Sequence, residues 1–398
     1  MNRQLLTLLT LTCGIAVGNV YFPQAVSPLI AADLRVPPDT ATLVVTAVQF
    51  GYTAGIFLLV PLGDRFPPRR LVVSLLGVTA AGLLAAGVAP TLPALVGANA
   101  LVGAVTVVAP VIGPVAAGLV AAERRGLVSG MLLSGSTGGM LLSRTAAGTL
   151  GEWWGWRAPY LTAATAMLLV AVATARLLPT VRPPSRHRYP ALLAQSLRLL
   201  RTEAQLRRSA FYQATVFGGF SAVWTSVALL LTGPAYGLGA PAVGTLALVN
   251  AVTMVCTPVA GRQVDRRGPD PVNLVCLLGV LAAAAVLAVG GGGGPAGLVA
   301  LVAGTLLLDV AMQCGMVANS VRIYALRPEV RSRLTTAYMT CAYLGGGVGS
   351  WLGARAYAQA GWAGVCAVLA LSATAALVRH LTATTGVDRR SARRSKTG

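Results

Sequence analysis

Val60-Pro61-Leu62-Gly63-Asp64-Arg65-Phe66-Pro67-Pro68-Arg69-Arg70 is the stretch on which the reading of this chain turns. An apolar run stops there, an acid and three arginines follow, and a second apolar run begins at Leu71. A weaker copy, Val259-Ala260-Gly261-Arg262-Gln263-Val264-Asp265-Arg266-Arg267-Gly268, comes about half the chain later. Gly155-Trp156 and Gly361-Trp362 are offset by a similar interval, and each pair opens the last apolar run of its half. The chain therefore reads as two similar halves, each organised around one charged turn.

Composition sets the solvent. The 398 residues are 55% hydrophobic and 11% charged, with mean hydropathy +0.72. A soluble domain carries about 25% charged residues, so the chain reads as a membrane protein. Its formal charge of +20 is almost all arginine, with Lys396 the one lysine. These charges sit between apolar runs and leave no soluble basic face for phosphates, which argues against nucleic acid as a partner. Cys13, Cys256, Cys276, Cys314, Cys341 and Cys366 all fall inside apolar runs without a CxxC pair, and the two histidines, His187 and His380, lie in basic flanks. The expectation is reduced, buried thiols, no metal and no cofactor.

A helix needs about 20 apolar residues to cross a bilayer. Runs of that kind cover 5–30, 41–62, 71–90, 93–120, 127–150 and 158–178, then 209–232, 241–263, 271–290, 297–324, 332–357 and 361–383. The first run outlasts a signal-peptide core of roughly 7–15 residues and reads as the first span. The expected fold is an all-α integral membrane protein of about twelve transmembrane helices in two pseudo-symmetric six-helix bundles. Residues 1–178 form the first bundle and 209–384 the second. A linker at 179–208 holds an amphipathic helix in which Leu192, Leu193, Leu197, Leu199 and Leu200 alternate with arginines, and 385–398 is a basic tail.

Arginine placement orients the chain. With the N-terminus inside, the inner loops collect Arg65, Arg69, Arg70, Arg124, Arg125, Arg262, Arg266, Arg267, Arg327, Arg331 and Arg333, besides the basic linker and tail. The outer loops hold only Arg35, Arg157 and a few acids. The expected location is a bacterial cytoplasmic membrane with both termini cytoplasmic, as a monomer. The tail Arg389–Lys396 is either a topology signal or a grip on anionic lipid.

Six plus six helices, a basic central loop and a charged turn after helix 2 and again after helix 8 resemble the major facilitator superfamily. Its signature between helices 2 and 3 reads Gly-x-x-x-Asp-Arg-x-Gly-Arg-Arg/Lys. The chain supplies Asp64, Arg65, Arg69 and Arg70, whereas Val60 and Pro67 stand where glycines belong. The second half keeps Gly261, Asp265, Arg266 and Gly268. Gly18-Asn19-Val20-Tyr21-Phe22-Pro23-Gln24, Gly139-Met140-Leu141-Leu142-Ser143-Arg144 and Asn319-Ser320-Val321-Arg322-Ile323-Tyr324 are similar to stretches of drug:proton antiporters and sugar (arabinose-type) efflux permeases. Two departures stand out. Asn99 occupies the helix 4 position where proton-coupled members often carry arginine, and the glycine–proline antiporter signature of helix 5 lacks its proline.

The resemblance implies a conformational latch at Asp64, Arg65, Arg69, Arg70, Asp265 and Arg266. An acid at a helix end accepts from the amides of a neighbouring helix and pairs with arginines of the adjacent bundle. The plainer reading is a topology signal with surface ion pairs worth about 0–1 kcal/mol.

Charges inside spans are the second clue, because inserting one at the membrane centre costs at least about 2.5–3.5 kcal/mol. Asp309, near the centre of helix 10 with Gln313 one turn later, is the candidate proton carrier; the alternative is a fixed structural group. Arg144, in helix 5, is the candidate cation partner or a direct contact for an anionic or hydroxylated substrate; the alternative is a partner for backbone carbonyls. Asn19, Tyr21, Gln24, Gln49, Tyr52, Gln213, Trp224, Asn250, Tyr338 and Tyr343 are polar or aromatic positions near the predicted midplane. With Gln313 they form the candidate substrate cavity, since apolar walls with a few polar groups suit an amphipathic small molecule. Each alone is equally at home as an interhelical hydrogen bond.

The sequence contains no P-loop, no HExxH metal site and no nucleophile–base constellation, so an enzyme is not expected and an ion gradient is the expected energy source. The leading reading is export of a small drug-like, sugar-like or metabolite molecule by alternating access in exchange for protons. The alternatives are coupled or facilitated uptake of a sugar or metabolite, and a membrane receptor or membrane enzyme.

Overall fold

The computed structural model describes residues 3–121, 125–180, 189–326 and 330–395, and among them there is no strand. Part of the linker, Arg124, Arg327 and the side chains of the basic tail lie outside the described residues.

The helices begin and end where backbone chemistry dictates. Proline stands in the first turn at Pro38, Pro68, Pro93, Pro241, Pro269 and Pro295, where its missing N–H has no helical partner to lose. Among the described residues these helices make twelve crossings. Span 1 is Arg3–Tyr21 continued by Pro23–Leu34, span 2 is Leu43–Leu58 with a turn at Val60–Asp64, and span 3 is Pro68–Gly87. Span 4 is Leu92–Val105 and Val108–Gly118, span 5 is Arg125–Trp154 and span 6 is Arg157–Leu177. Span 7 is Ala204–Thr232, span 8 is Pro241–Val249 and Thr253–Arg267, span 9 is Pro269–Val289 and span 10 is Gly294–Tyr324. Spans 11 and 12 are two helices within Arg331–Ser395, separated by a break at Gly361. Nine described stretches are long and apolar enough to cross a membrane, one of them long enough for spans 11 and 12 together. Span 5 is less apolar because glycine, serine and threonine dilute it, and span 8 is interrupted at Asn250–Val252.

The half-chain repeat is physical. Gly155 (φ 81°) and Gly361 (φ 59°) both turn the chain through the left-handed region, which glycine enters without a Cβ penalty. Each hands over to a tryptophan whose indole bonds to a neighbouring span of its own half. The Trp156 indole donates to Asp33 at 2.8 Å while Arg157 reaches the Ala89 carbonyl beyond span 3, and the Trp362 indole donates to the Leu287 carbonyl at the end of span 9 at 2.6 Å. Packing repeats as well. A Cβ at Gly139 of span 5 would strike the backbone of Gly14 in span 1, and a Cβ at Gly349 of span 11 would strike Gly218 in span 7. Small residues let paired helices close to backbone contact, which is how membrane helices gain van der Waals energy when lipid is as apolar as leucine.

Large apolar side chains on the outer surface, among them Leu84, Leu133, Leu169, Val275, Val299 and Leu371, remain exposed. On a soluble protein they would be an aggregation liability; here they form the lipid-facing surface. The charged turns at Asp64 and Asp265 each follow an even-numbered span and so fall on one side, the basic face.

The halves meet mainly toward the opposite face. Spans 2 and 11 pack along each other, as do spans 5 and 8 and the end of span 1 with span 7. The Thr46, Ser350 and Thr225 hydroxyls form a chain with steps of 3.2 and 3.0 Å, and the Thr145 hydroxyl donates to the Gly244 carbonyl at 2.8 Å. Between the halves, helix Tyr189–Thr202 buries Leu192, Ser196 and Leu199, with Leu199 joining Leu206, Ile323, Leu334 and Tyr338 of the second half. The Tyr189 hydroxyl reaches back to the Leu58 carbonyl at 2.6 Å. Part of its apolar face thus rests on protein, while Leu197 stays exposed.

Candidate functional site

Pro23 has no amide hydrogen, and Phe22 joins the two helices of span 1. That junction lies beside span 5, which the glycine contacts draw against span 1. Arg144 consequently meets Gln24: its Nε donates to Gln24 Oε1 at 2.8 Å. The guanidinium lies 4.9 Å from the Tyr21 ring centre and 4.3 Å from that of Trp224. Tyr21 and Gln24 come from the first half and Trp224 from span 7 of the second. The Trp224 indole donates to Asp309 Oδ1 at 3.0 Å. One indole thus separates an arginine of one half from a carboxyl of the other, with Asn250 beside Asp309.

Arg144, Trp224, Gln24 and Asn250 are fully buried, and Asp309 is 1% exposed. Much of their hydrogen-bonding capacity is unspent: Arg144 Nη1 and Nη2, Gln24 Nε2, Asp309 Oδ2 and both Asn250 amide atoms are buried without a protein partner. Each such group costs about 1–3 kcal/mol, more if charged. Unsatisfied polar groups gathered in one place call for an explanation, and a site awaiting a ligand supplies one.

An aromatic wall continues from this array along the interface. The Tyr21 and Tyr343 hydroxyls are 3.4 Å apart, and the Tyr343 ring meets Tyr52 edge-on at 4.6 Å and Phe217 at 5.0 Å. Phe217 stacks on Phe220 at 5.5 Å, and Phe220 leads back to Trp224 at 6.3 Å. The Gln49 Oε1 accepts from Ser221 at 3.4 Å, while its Nε2 is buried without a partner.

The structure therefore brings Tyr21, Gln24, Arg144, Trp224, Asn250 and Asp309 together, with Gln49, Tyr52 and Tyr343 alongside. Other anticipated residues bond within their own half. Asn19 donates to Thr106 at 3.3 Å, which in turn donates to the Ala16 carbonyl, fastening span 1 to span 4. Tyr338 donates to Gln213 Oε1 at 3.0 Å, and Gln213 approaches the Met312 sulfur at 3.8 Å. Gln313 is buried one turn beyond Asp309.

At the charged turns, Asp64 and Arg69 are half-buried, while Arg65, Arg70, Asp265 and Arg266 are exposed. Arg69 donates to the Ala175 carbonyl near the end of span 6, inside its own half. In the second half, sequence reasoning overlooked Asp270. This acid opens span 9 and receives Arg208 of span 7 at 2.7 Å and Arg322 of span 10. Arg208 Nε also donates to the Tyr212 hydroxyl at 2.7 Å. The available signal was an acid in the first helical turn after Gly268-Pro269. The hydroxyl chain Thr46–Ser350–Thr225 was likewise unforeseen, since lone hydroxyls in apolar helices carry no pattern.

Comparisons with known proteins agree with this architecture. The family model for the Major Facilitator Superfamily matches residues 7–349. The Putative uncharacterized transporter YgaY of Escherichia coli (strain K12) is 35% identical over 392 residues, covering 98% of each chain. The Chloramphenicol resistance protein of Streptomyces lividans is 29% identical over 299 residues, covering 67% of this chain and 74% of that one. Among solved structures, a point mutant of the nucleoside transporter NupG superposes with a TM-score of 0.70 at 13% identity, covering 96% of this chain and 98% of that one. Two six-span halves around a buried polar interface, the charged turns and a family match over most of the length lead to one conclusion: the chain belongs to the major facilitator superfamily and is a multi-pass membrane transporter.

Proposed function

We propose that this transporter exports a small organic molecule across a bacterial cytoplasmic membrane in exchange for protons, the basic face lying in the cytoplasm. The observation that carries the reading is the Arg144–Trp224–Asp309 array, in which an ionisable acid and a cation from opposite halves meet at the surface along which the halves must move. A carboxyl in a low-dielectric site holds or releases its proton according to whether a cation faces it. Rocking one half against the other changes that relation, so Asp309 is the proposed proton carrier and Arg144 its proposed partner. The aromatic wall from Trp224 to Tyr52 supplies the apolar surface for an organic substrate. The drug-resistance name carried by the Streptomyces lividans relative favours export. The charged turns at Asp64 and Asp265 are the proposed latch of the state closed on the basic face.

The test is reconstitution into proteoliposomes with an imposed pH gradient, with radiolabelled chloramphenicol as the first probe. Wild type is expected to drive the probe against its gradient. Asp309→Asn is expected to lose that driven flux while still exchanging labelled for unlabelled probe. Gradient-driven transport in Asp309→Asn would remove the proton role.

A further inference from the structure

The unspent hydrogen-bonding groups of the interface differ in kind on its two sides, and this bears on what the site accepts. On the first-half wall they are donors: Arg144 Nη1 and Nη2, and Gln24 Nε2. On the second-half wall stands an acceptor, Asp309 Oδ2, with the Asn250 amide beside it. Tyr21 and Trp224 approach the guanidinium at 4.9 and 4.3 Å, and Nε is spent on Gln24, so the Nη1/Nη2 edge is what remains for a ligand. That edge asks for paired acceptor oxygens in its plane.

Trp224 assigns the carboxyl oxygens as well. Its N–H holds Asp309 Oδ1 at 3.0 Å. A proton taken up by Asp309 therefore sits on Oδ2, the atom a ligand donor would need. The charged and titratable groups facing Asp309 are Arg144 from span 5 and Tyr21 from span 1; Trp224 and Asn250 supply its polar contacts from spans 7 and 8. With Asp309 ionised the array has no net charge, and with Asp309 protonated it is cationic.

We propose that the site recognises a neutral organic molecule carrying a planar acceptor group, such as nitro, carboxamide or carbonyl, and a hydroxyl or amide donor that binds Asp309 Oδ2 in place of the proton. This deepens the exchange reading above and rests on it. The acceptor group takes the Arg144 edge, the donor takes Oδ2, and the flat body lies along the aromatic wall. Proton and molecule claim one atom, so binding one molecule releases one proton from a protonated site. An organic anion would behave in the opposite way: it would occupy Arg144, leave Asp309 without its cation, and bind together with a proton. A cation would meet the charge of Arg144. Exchange and neutrality of the substrate are thus two consequences of one geometry.

The experiment uses four probes with one body: 4-nitrobenzyl alcohol, 4-nitrotoluene, 4-nitrobenzoate and 4-nitrobenzylammonium. Binding to the purified full chain is followed by calorimetry in buffers of different ionisation enthalpy, which counts protons released or taken up, from acid to neutral pH. The alcohol is expected to bind about tenfold or more tighter than 4-nitrotoluene, which has no donor for Asp309, and than 4-nitrobenzoate and 4-nitrobenzylammonium, whose charges oppose Asp309 and Arg144 respectively, and to release up to one proton at acid pH. In Asp309→Asn, whatever binding remains is expected to release none. In Trp224→Phe, with Oδ1 freed, proton release per bound alcohol is expected to fall more than affinity does, a split that a merely structural tryptophan would not produce. Tightest binding by 4-nitrobenzoate with proton uptake, alcohol binding without proton release, or binding by none of the four would each overturn the proposal. Failure of the exchange reading looks different: no probe moves under a pH gradient in proteoliposomes, whatever its affinity.

Discussion

Replacing Arg144 by methionine separates a binding role from a structural one, because the two predict opposite balances of stability and activity. The substitution removes the Nε bond to Gln24, a charged hydrogen bond worth about 1.5–3 kcal/mol. It also removes two ring contacts of about 0.5–1 kcal/mol each, and it strands Gln24 Oε1 at about 1–3 kcal/mol. Against this, it relieves two buried guanidinium nitrogens that have no partner, at about 1–3 kcal/mol each. Methionine further gains a sulfur–aromatic contact of about 0.3–1.5 kcal/mol. The balance closes to within about 2 kcal/mol of zero. A guanidinium whose whole fork was satisfied would instead cost about 3–5 kcal/mol to remove. At roughly 2–4 °C per kcal/mol, the expected midpoint stays within about 8 °C of wild type, against a fall of about 6–20 °C for a structural arginine. Transport is expected to drop about 10- to 150-fold in kcat/KM, the worth of a charged donor to the substrate at tenfold per 1.36 kcal/mol. The assays are thermal unfolding of the purified protein and pH-driven chloramphenicol flux in proteoliposomes. A large fall in midpoint with normal transport per folded molecule would refute the reasoning.

Two further outcomes follow from the fold. Cysteines at Thr46 and Ser350, whose hydroxyls are 3.2 Å apart across the two halves, are expected to cross-link under mild oxidation and stop transport until a reductant is added; full transport by the cross-linked protein would deny that these surfaces separate during the cycle. Gly139→Leu drives a side chain into the Gly14 backbone, whereas a side chain at Gly138 meets nothing within 4 Å. Overpacking typically costs about 1–3 kcal/mol, so Gly139→Leu is expected to lower the unfolding midpoint and Gly138→Leu to leave it near wild type; equal midpoints would contradict the tight contact of spans 1 and 5.

Much of this protein is readable from local chemistry alone. Lengths of apolar sequence set the crossings, because a bilayer leaves the backbone no partner outside a helix. The arginine-rich turns at Asp64 and Asp265 and the Gly155-Trp156 and Gly361-Trp362 pairs marked the duplication, and Asp309 and Arg144 stood out because charges are rare in hydrocarbon. Which groups meet was another matter. Arg144 and Asp309 are far apart in sequence and in different halves, and nothing local says that Trp224 stands between them or that it takes one carboxyl oxygen and leaves the other. Asn19 and Gln213 looked equivalent to Gln24 in sequence, yet their bonds stay within their own halves, because a residue's neighbour in a bundle depends on helix rotation and crossing, which many small contacts decide together. Residue type and spacing therefore determined the membrane, the duplication and the scarce charges; only the packing of one half against the other decided which of those charges share a site.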